Sequence, residues 1–258
     1  MHAEETPFVV RLAKDAQDLH AAQRLRYRVF VEELGGSGPL VDHAARLERD
    51  EFDPHFDHLL LIDETAGEDY VVGVYRLLPS DRLQQTGRFY SEHEYDLGPL
   101  KATGRRLLEL GRSCVHPDYR GGTAMLLLWN ALADYVLERD IDILFGVASF
   151  HGTDIAALAQ PLSYLYHNHL APEPLRVQAR PAQSQRMDLL LPEQIDRREA
   201  LTGIPALIKA YLRLGGCVGQ GAWIDHAFNT TDVCLVVDTQ TMNAKHRDFY
   251  SRKSGRQP

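Results

Sequence analysis

The sequence predicts an α/β fold in which a mixed sheet carries helices on its faces. Three observations lead there. Apolar alternation marks strands at 8–13, 58–62, 70–77, 107–115 and 142–149. Helical spacing marks long segments after Asp15 and after Gly121. The resulting order, β-α-β-β-β-α-β-α, has three consecutive strands and so does not describe a strictly alternating parallel sheet.

Each element has its own signal. Residues 8–13 form the first strand. Asp15 caps the helix that follows, with Asp18 in its first turn. Leu19, Ala22, Leu25 or Arg26, and Val29 keep helical spacing as far as Leu34, where Gly35 and Gly36 end the helix. Residues 37–57 read as a polar loop. The run ETAGED is the turn between the second and third strands. After a variable stretch to Gly104 comes the strand 107–115. Gly121 opens a helix through MLLLWNALADYVLERD. Residues 142–149 are a strand and 153–169 a helix. Farther on, IPALIKAYLRLGG is an amphipathic helix ending in glycines, while GAWIDHAF and VCLVV are strands.

The chain has 258 residues, 44% hydrophobic and 25% charged, with a formal net charge of -8. That balance argues against a general nucleic-acid binder, which would show a basic footprint. No apolar run approaches the ~18 residues of a membrane span, and no basic-then-apolar leader stands at the N-terminus. A cytoplasmic protein is expected, with a peripheral contact at the inner membrane face as a further expectation. Cys114, Cys217 and Cys234 are odd in number and far apart, so they are read as reduced, two of them buried in strands. Lys245, Arg247, Arg252, Lys253 and Arg256 make the C-terminus basic and solvated.

The stretch LELGRSCVHPDYRGG, residues 108–122, carries the chemistry. It places Glu109 and Arg112 in an apolar strand just before a glycine turn and a helix. Residues three apart point to opposite faces of a flat strand, so an ion pair between them requires a bulge. Successive N–H groups at a helix start attract an anion, and glycine lets a phosphate approach the chain. His55 and His58 among carboxylates in DPHFDH suggest a metal, but no metal is assigned.

A strand, HPDYRGG and a long apolar helix together resemble the acyl-donor arm of the GNAT superfamily of N-acyltransferases. Thr123 departs from the fuller Arg-x-x-Gly-x-Gly/Ala spacing of that superfamily. LRYRVFVEELG, ERDEFD, VGVYR and ELGR occur in the order found in acyl-homoserine-lactone synthases, with Gly36 standing where those have tryptophan. The widest resemblance is to the bacterial ornithine–acyl-carrier-protein N-acyltransferases, once grouped as hemolysin-like proteins. ELGRSCVHPDYR, LFGVASFHGTD, LIKAYLRLGG and IDHAFNTTDV carry it over nearly the whole chain.

That resemblance implies a GNAT-like mixed, largely antiparallel central sheet flanked by helices, with a C-terminal extension. Residues 1–170 would be the acyltransferase core, 171–250 an extension packed on it, and 251–258 a basic tail. It implies transfer of a 3-hydroxy fatty acyl group from acyl carrier protein to the α-amino group of L-ornithine, giving lyso-ornithine lipid. No permanently bound cofactor is expected, since the phosphopantetheine of the carrier is the donor arm. Carried over motif by motif, Glu109 and Arg112 are catalytic, and Arg26, Phe30, Asp50, Asp53 and Arg76 bind the acceptor. Val115, His116, Arg120, Gly121, Gly122 and Ser149 bind the donor.

Glu109 is the expected base, direct or through one water, because burial of a carboxylate in an apolar strand raises its pKa toward neutrality. Arg112 is expected to organise the acceptor site. The alternatives are a structural Glu109–Arg112 ion pair, an autoinducer-type synthase, a coenzyme A-dependent N-acyltransferase, and a non-catalytic acyl-carrier or lipid-binding module. IPALIKAYLRLGG reads as core, with a channel wall or a membrane-surface contact through Lys209 and Arg213 as alternatives.

Overall fold

A computed structural model of the protein describes residues 8–67 and 69–241. The basic stretch 245–258 lies outside the described residues. In chain order the elements are β1 (Phe8–Leu12), α1 (Ala16–Arg26), β2 (Asp57–Asp63), β3 (Val71–Pro79), α2 (Leu83–Thr86), β4 (Tyr95–Asp96), α3 (Gly98–Ala102), β5 (Leu107–Val115) and α4 (Ala124–Glu138). There follow β6 (Ile143–His151), α5 (Ala159–His169), β7 (Gln178–Ala179), β8 (Ser184–Gln185), α6 (Arg197–Gly203), α7 (Ala206–Arg213), β9 (Cys217–Val218), β10 (Ala222–Asp225) and β11 (Thr230–Asp238). The chain forms two compact units, one of residues up to Leu78 with Leu110–Arg139, the other of Pro79–Glu109 with the residues from Asp140 onward.

In the first unit β1, β2 and β3 form an antiparallel meander. Asp15 caps α1 by accepting the N–H groups of Gln17 and Asp18. Ala21, Ala22 and Leu25 of α1, with Val29 just beyond it, pack on Leu60, Ile62, Val74 and Cys114. The predicted helix runs to the expected glycines but changes character on the way. Tyr27–Glu33 is a π-helix, and the Leu34 N–H reaches back to Val29 C=O. Such wide turns are rare and cluster at functional sites. Gly35, at φ +72°, closes the segment. On α4, Leu128 lies so near Gly73 of β3 that a Cβ there would sit 2.8 Å from its Cδ1, so a larger residue would push the Leu128 side chain aside.

In the second unit β6 pairs with β5 in parallel and with β11 in antiparallel fashion over nine residues, from Thr230↔His151 to Asp238↔Ile143. The chain joins β5 to β6 through α4, the kind of crossover a parallel pair requires. β10 and β9 each pair antiparallel to β11, and β8 to β10. Phe89 meets Phe145 edge-on at 4.9 Å, and the buried Tyr95 hydroxyl donates to the carbonyls of Gly221 and Asp232. α7 buries Ile208 and Tyr211 and exposes Arg213. Strand pairing is thus antiparallel in the first unit and mixed in the second, the mixed and largely antiparallel α/β class the sequence predicts. Two helices begin later than predicted: α4 starts at Ala124 rather than Gly121, and α5 at Ala159 after turns over 152–158. α6 carries no long apolar stripe and was not anticipated.

Candidate active site

Polar residues of the first unit's interior converge on one network. Arg26 of α1 and Arg76 of β3 are among the largest fully buried side chains of the protein. A buried guanidinium is stable only when paired and hydrogen-bonded. The loop before β2 supplies the pairs. Arg26 donates from Nε to Glu48 Oε2 at 2.5 Å and from Nη1 to Asp53 Oδ1 at 2.6 Å. Arg76 Nη1 reaches both oxygens of Asp50, at 2.7 and 2.6 Å, and Asp53 Oδ1 at 2.9 Å. Arg112 of β5 donates from Nε to Glu48 Oε1 at 3.2 Å, and its Nη2 lies 3.5 Å from Asp50 Oδ2. Gln23 donates to Asp53 Oδ2 at 2.9 Å, and the Arg76 guanidinium sits 4.4 Å over the Phe56 ring.

Three guanidiniums therefore face three carboxylates. Burial alone would raise the pKa values of Glu48, Asp50 and Asp53, but the arginine charges outweigh it and hold all three below the ordinary carboxylate range. His58, whose Nε2 lies 2.9 Å from Asp53 C=O, is pushed down to about 4 by burial, with the Arg26 and Arg76 charges adding to the effect. Its partner is a backbone carbonyl.

Exposure divides the network. Arg26, Glu48, Asp53 and Arg76 are at most 2% exposed, whereas the side chains of Asp50 and Arg112 are 17% and 15% exposed. Arg112 also has φ +47°, a left-handed conformation that a non-glycine residue rarely adopts within a strand. This breaks the alternation of β5, and with it the simple face assignment drawn from residue spacing. Arg26, Asp50, Asp53, Arg76 and Arg112 are thus brought together as the motifs implied. Glu48 joins them unanticipated, although it opens the ERDEFD motif itself. Phe30 lies on the π-helix, half-buried against the core of the first unit.

Around the glycine turn, His116 Nδ1 accepts the Asp118 N–H at 3.3 Å, and Tyr119 donates to Asp63 at 2.7 Å. Arg120 donates from Nε to the Val115 carbonyl at 3.0 Å and makes two parallel bonds to Glu33, at 2.6 and 2.7 Å. Its charge is therefore committed within the chain, holding the turn in place. Gly121 has φ +80°. Gly122 follows it, and Leu126 in the first turn of α4 is 58% exposed.

Glu109 and Ser149 belong to the second unit. Glu109 is 1% exposed. Its Oε2 accepts the Tyr90 N–H at 2.8 Å, and its Oε1 accepts the Ser91 N–H at 2.6 Å and the Ser91 hydroxyl at 2.5 Å. These three donors tie Glu109 to the turn at Tyr90 and Ser91. Ser149 is exposed on β6, opposite Asp232 of β11.

Residues 25–130 match the model of the acetyltransferase (GNAT) domain. The fold is shared with an N-acyl amino acid synthase from uncultured soil microbes, 14% identical, with a TM-score of 0.50 over 91% of this chain and 92% of that one. A CoA-dependent acyl-homoserine lactone synthase, 16% identical, gives 0.51 over 93% and 83%. In sequence the chain is 66% identical to the L-ornithine N(alpha)-acyltransferase of Rhodobacter capsulatus, over 98% of both chains. It is 41% identical to that of Brucella abortus over 96% of this chain and 90% of the relative. An α/β acyltransferase fold and such likeness along the whole length place the chain in the L-ornithine N(alpha)-acyltransferase family.

Proposed function

We propose that the protein transfers a 3-hydroxy fatty acyl group from acyl carrier protein to the α-amino group of L-ornithine, giving lyso-ornithine lipid, the first step of ornithine lipid synthesis. The observation that carries the acceptor half is the exposed edge of the ion network. Asp50 and Arg112 present opposite charges 3.5 Å apart, a complement to a zwitterionic amino acid. Arg112 takes the carboxylate as a fork. Asp50 takes a cationic amine. Arg26 and Arg76 share Asp53, and Arg76 also holds both oxygens of Asp50, which keeps that edge in place.

In the reaction the acceptor nitrogen, once deprotonated, attacks the thioester carbonyl carbon. The C–N bond forms, the C–S bond breaks, and the phosphopantetheine thiolate leaves and takes up a proton. Glu109 receives the proton of the amine, directly or through one water. The phosphopantetheine is a substrate arm, with no resident cofactor. Val115, His116, the turn at Gly121 and Gly122, and Ser149 serve the donor, with Arg120 bracing the turn.

No helix among the described residues is long and apolar enough to cross a membrane. The proposed location is the cytoplasm, with Lys209 and Arg213 of α7 touching the inner membrane face. The test is direct. Purified protein is given ornithine with 3-hydroxyacyl carrier protein or with the matching acyl-coenzyme A, and the products are weighed by mass spectrometry. The carrier-bound substrate should be preferred, and added salt should weaken its binding by screening. Equal use of the two donors overturns the carrier assignment, and acylation of the side-chain amine overturns the acceptor geometry.

A further inference from the structure

We propose that Glu48 is a positioning residue for the acyltransfer, setting from its buried seat between Arg26 and Arg112 where the Arg112 guanidinium meets the amino-acid acceptor. The proposal rests on the reading above, in which Arg112 receives the acceptor carboxylate. Its basis is a division of labour between the two oxygens of one carboxylate. Oε2 is bonded to Arg26, both Nε and Nη2 lying 2.5 Å away. Arg26 is fully buried and held from its other side by Asp53, so it is a fixed post. Oε1 points to Arg112 Nε at 3.2 Å. The Glu48 backbone is tied down as well, its N–H donating to Gln23 C=O at 3.2 Å.

Arg112 needs such a tether. Its long side chain loses rotamer freedom when held, and its backbone sits at φ +47°, where an L residue is strained. A bond at Nε fixes the plane of a guanidinium, and with it the direction in which its Nη groups point. Glu48 is 1% exposed and does not itself face solvent. Its effect on the reaction passes through Arg112.

Kinetics of a double-mutant cycle test this. Glu48→Gln keeps the shape and removes the charge. It should raise the KM for ornithine about 10-fold while changing kcat and the donor KM much less. In an Arg112→Ala background the same substitution should add nothing to the ornithine KM. Glu48→Asp retains the charge and should recover part of the lost affinity. An equal rise from Glu48→Gln in both backgrounds overturns the proposal, since Glu48 then acts by another route. If Arg112→Ala alone leaves the ornithine KM unchanged, the acceptor reading falls and the proposal with it. If Arg112→Ala raises it and Glu48→Gln does not, only the proposal falls. Should Glu48→Gln fail to fold, Glu48→Asp replaces it in the cycle, and additivity with Arg112→Ala overturns the proposal in the same way.

Discussion

The protein buries carboxylates in two different ways. In the first unit, Glu48, Asp50 and Asp53 are matched against Arg26, Arg76 and Arg112, charge for charge. In the second, Glu109 is bonded to the amides of Tyr90 and Ser91 and to the Ser91 hydroxyl. A guanidinium partner clamps a carboxylate by charge as well as by hydrogen bonding, and removing either member leaves an uncompensated ion. The dipolar donors at Tyr90 and Ser91 hold Glu109 to one short stretch of backbone. The first arrangement suits a rigid frame built from distant parts of the chain. The second ties a carboxylate to a single turn.

The largest expected effect tests that contrast at Glu109, the proposed base. Glu109→Gln should lower kcat by about 10²–10⁴-fold with donor binding largely intact. Near-normal turnover in the variant would make Glu109 an anchor for the turn at Tyr90 and Ser91 and nothing more. Next comes the frame. Asp53→Asn leaves two buried guanidiniums short of a charge and should cost about 3–5 kcal/mol of stability in urea unfolding. A loss under about 1 kcal/mol would mean that the network tolerates a missing charge and is no frame.

Acid should find the same weakness. His58 is held neutral down to about 4 in the folded chain, whereas it takes up a proton near 6.5 when unfolded. The unfolded state therefore binds more protons between those values, and stability falls as pH drops from about 6.5 to 4. The depressed carboxylates of the network extend the loss below about 4, where the unfolded chain protonates first. His58→Gln should flatten the upper part of this profile, removing up to about 3 kcal/mol of pH dependence. An unchanged slope between pH 4 and 6.5 would place the proton uptake elsewhere.

The smallest effect concerns selectivity. Asp53 is 2% exposed and the Asp50 side chain 17%, so of the two Asp50 is the candidate to read the side-chain amine. Ornithine and lysine should differ by only about 1–3 kcal/mol, one methylene's worth, while norvaline should be a much poorer acceptor. Asp50→Asn should narrow the gap between ornithine and norvaline, mainly by harming ornithine. Steady-state rates with the three amino acids decide it, and a preserved preference removes Asp50 from that role.

Much of this was legible before any coordinates. Strands marked by apolar runs, such as Asp57–Asp63, and helices with a clear stop, such as the one closed by Gly35 and Gly36, follow from local chemistry. Family likeness implicated Arg26, Phe30, Asp50, Asp53, Arg76, Glu109 and Arg112, and of these Glu109 belongs to the second unit. What was not legible is depth. Nothing in ERDEFD separates Asp53 from Asp50, because burial is decided by Gln23, Arg26 and Arg76, which come from distant parts of the chain. Glu48 was passed over for the same reason, as a charge run looks like a solvated face until arginines are found opposite it. The partners of Glu109 come from a stretch with no periodic pattern, so the donors at Tyr90 and Ser91 left no local trace. Arg120, which reads as a cation for a phosphate, has its fork filled by Glu33, some ninety residues away.

The left-handed backbone at Arg112 subjects one position to two incompatible demands. Its conformation asks for glycine or asparagine, and relieving it would stabilise the chain by about 1 kcal/mol. Its surroundings ask for a long cation, and no residue supplies both. Lysine would keep a charge but lose the Nε contact to Glu48, and asparagine would relax the backbone but remove the guanidinium proposed to receive the acceptor. A library selected for heat resistance alone should therefore drift away from arginine at this site and produce sturdier, idle proteins. A library selected for activity should hold arginine there and accept the strain.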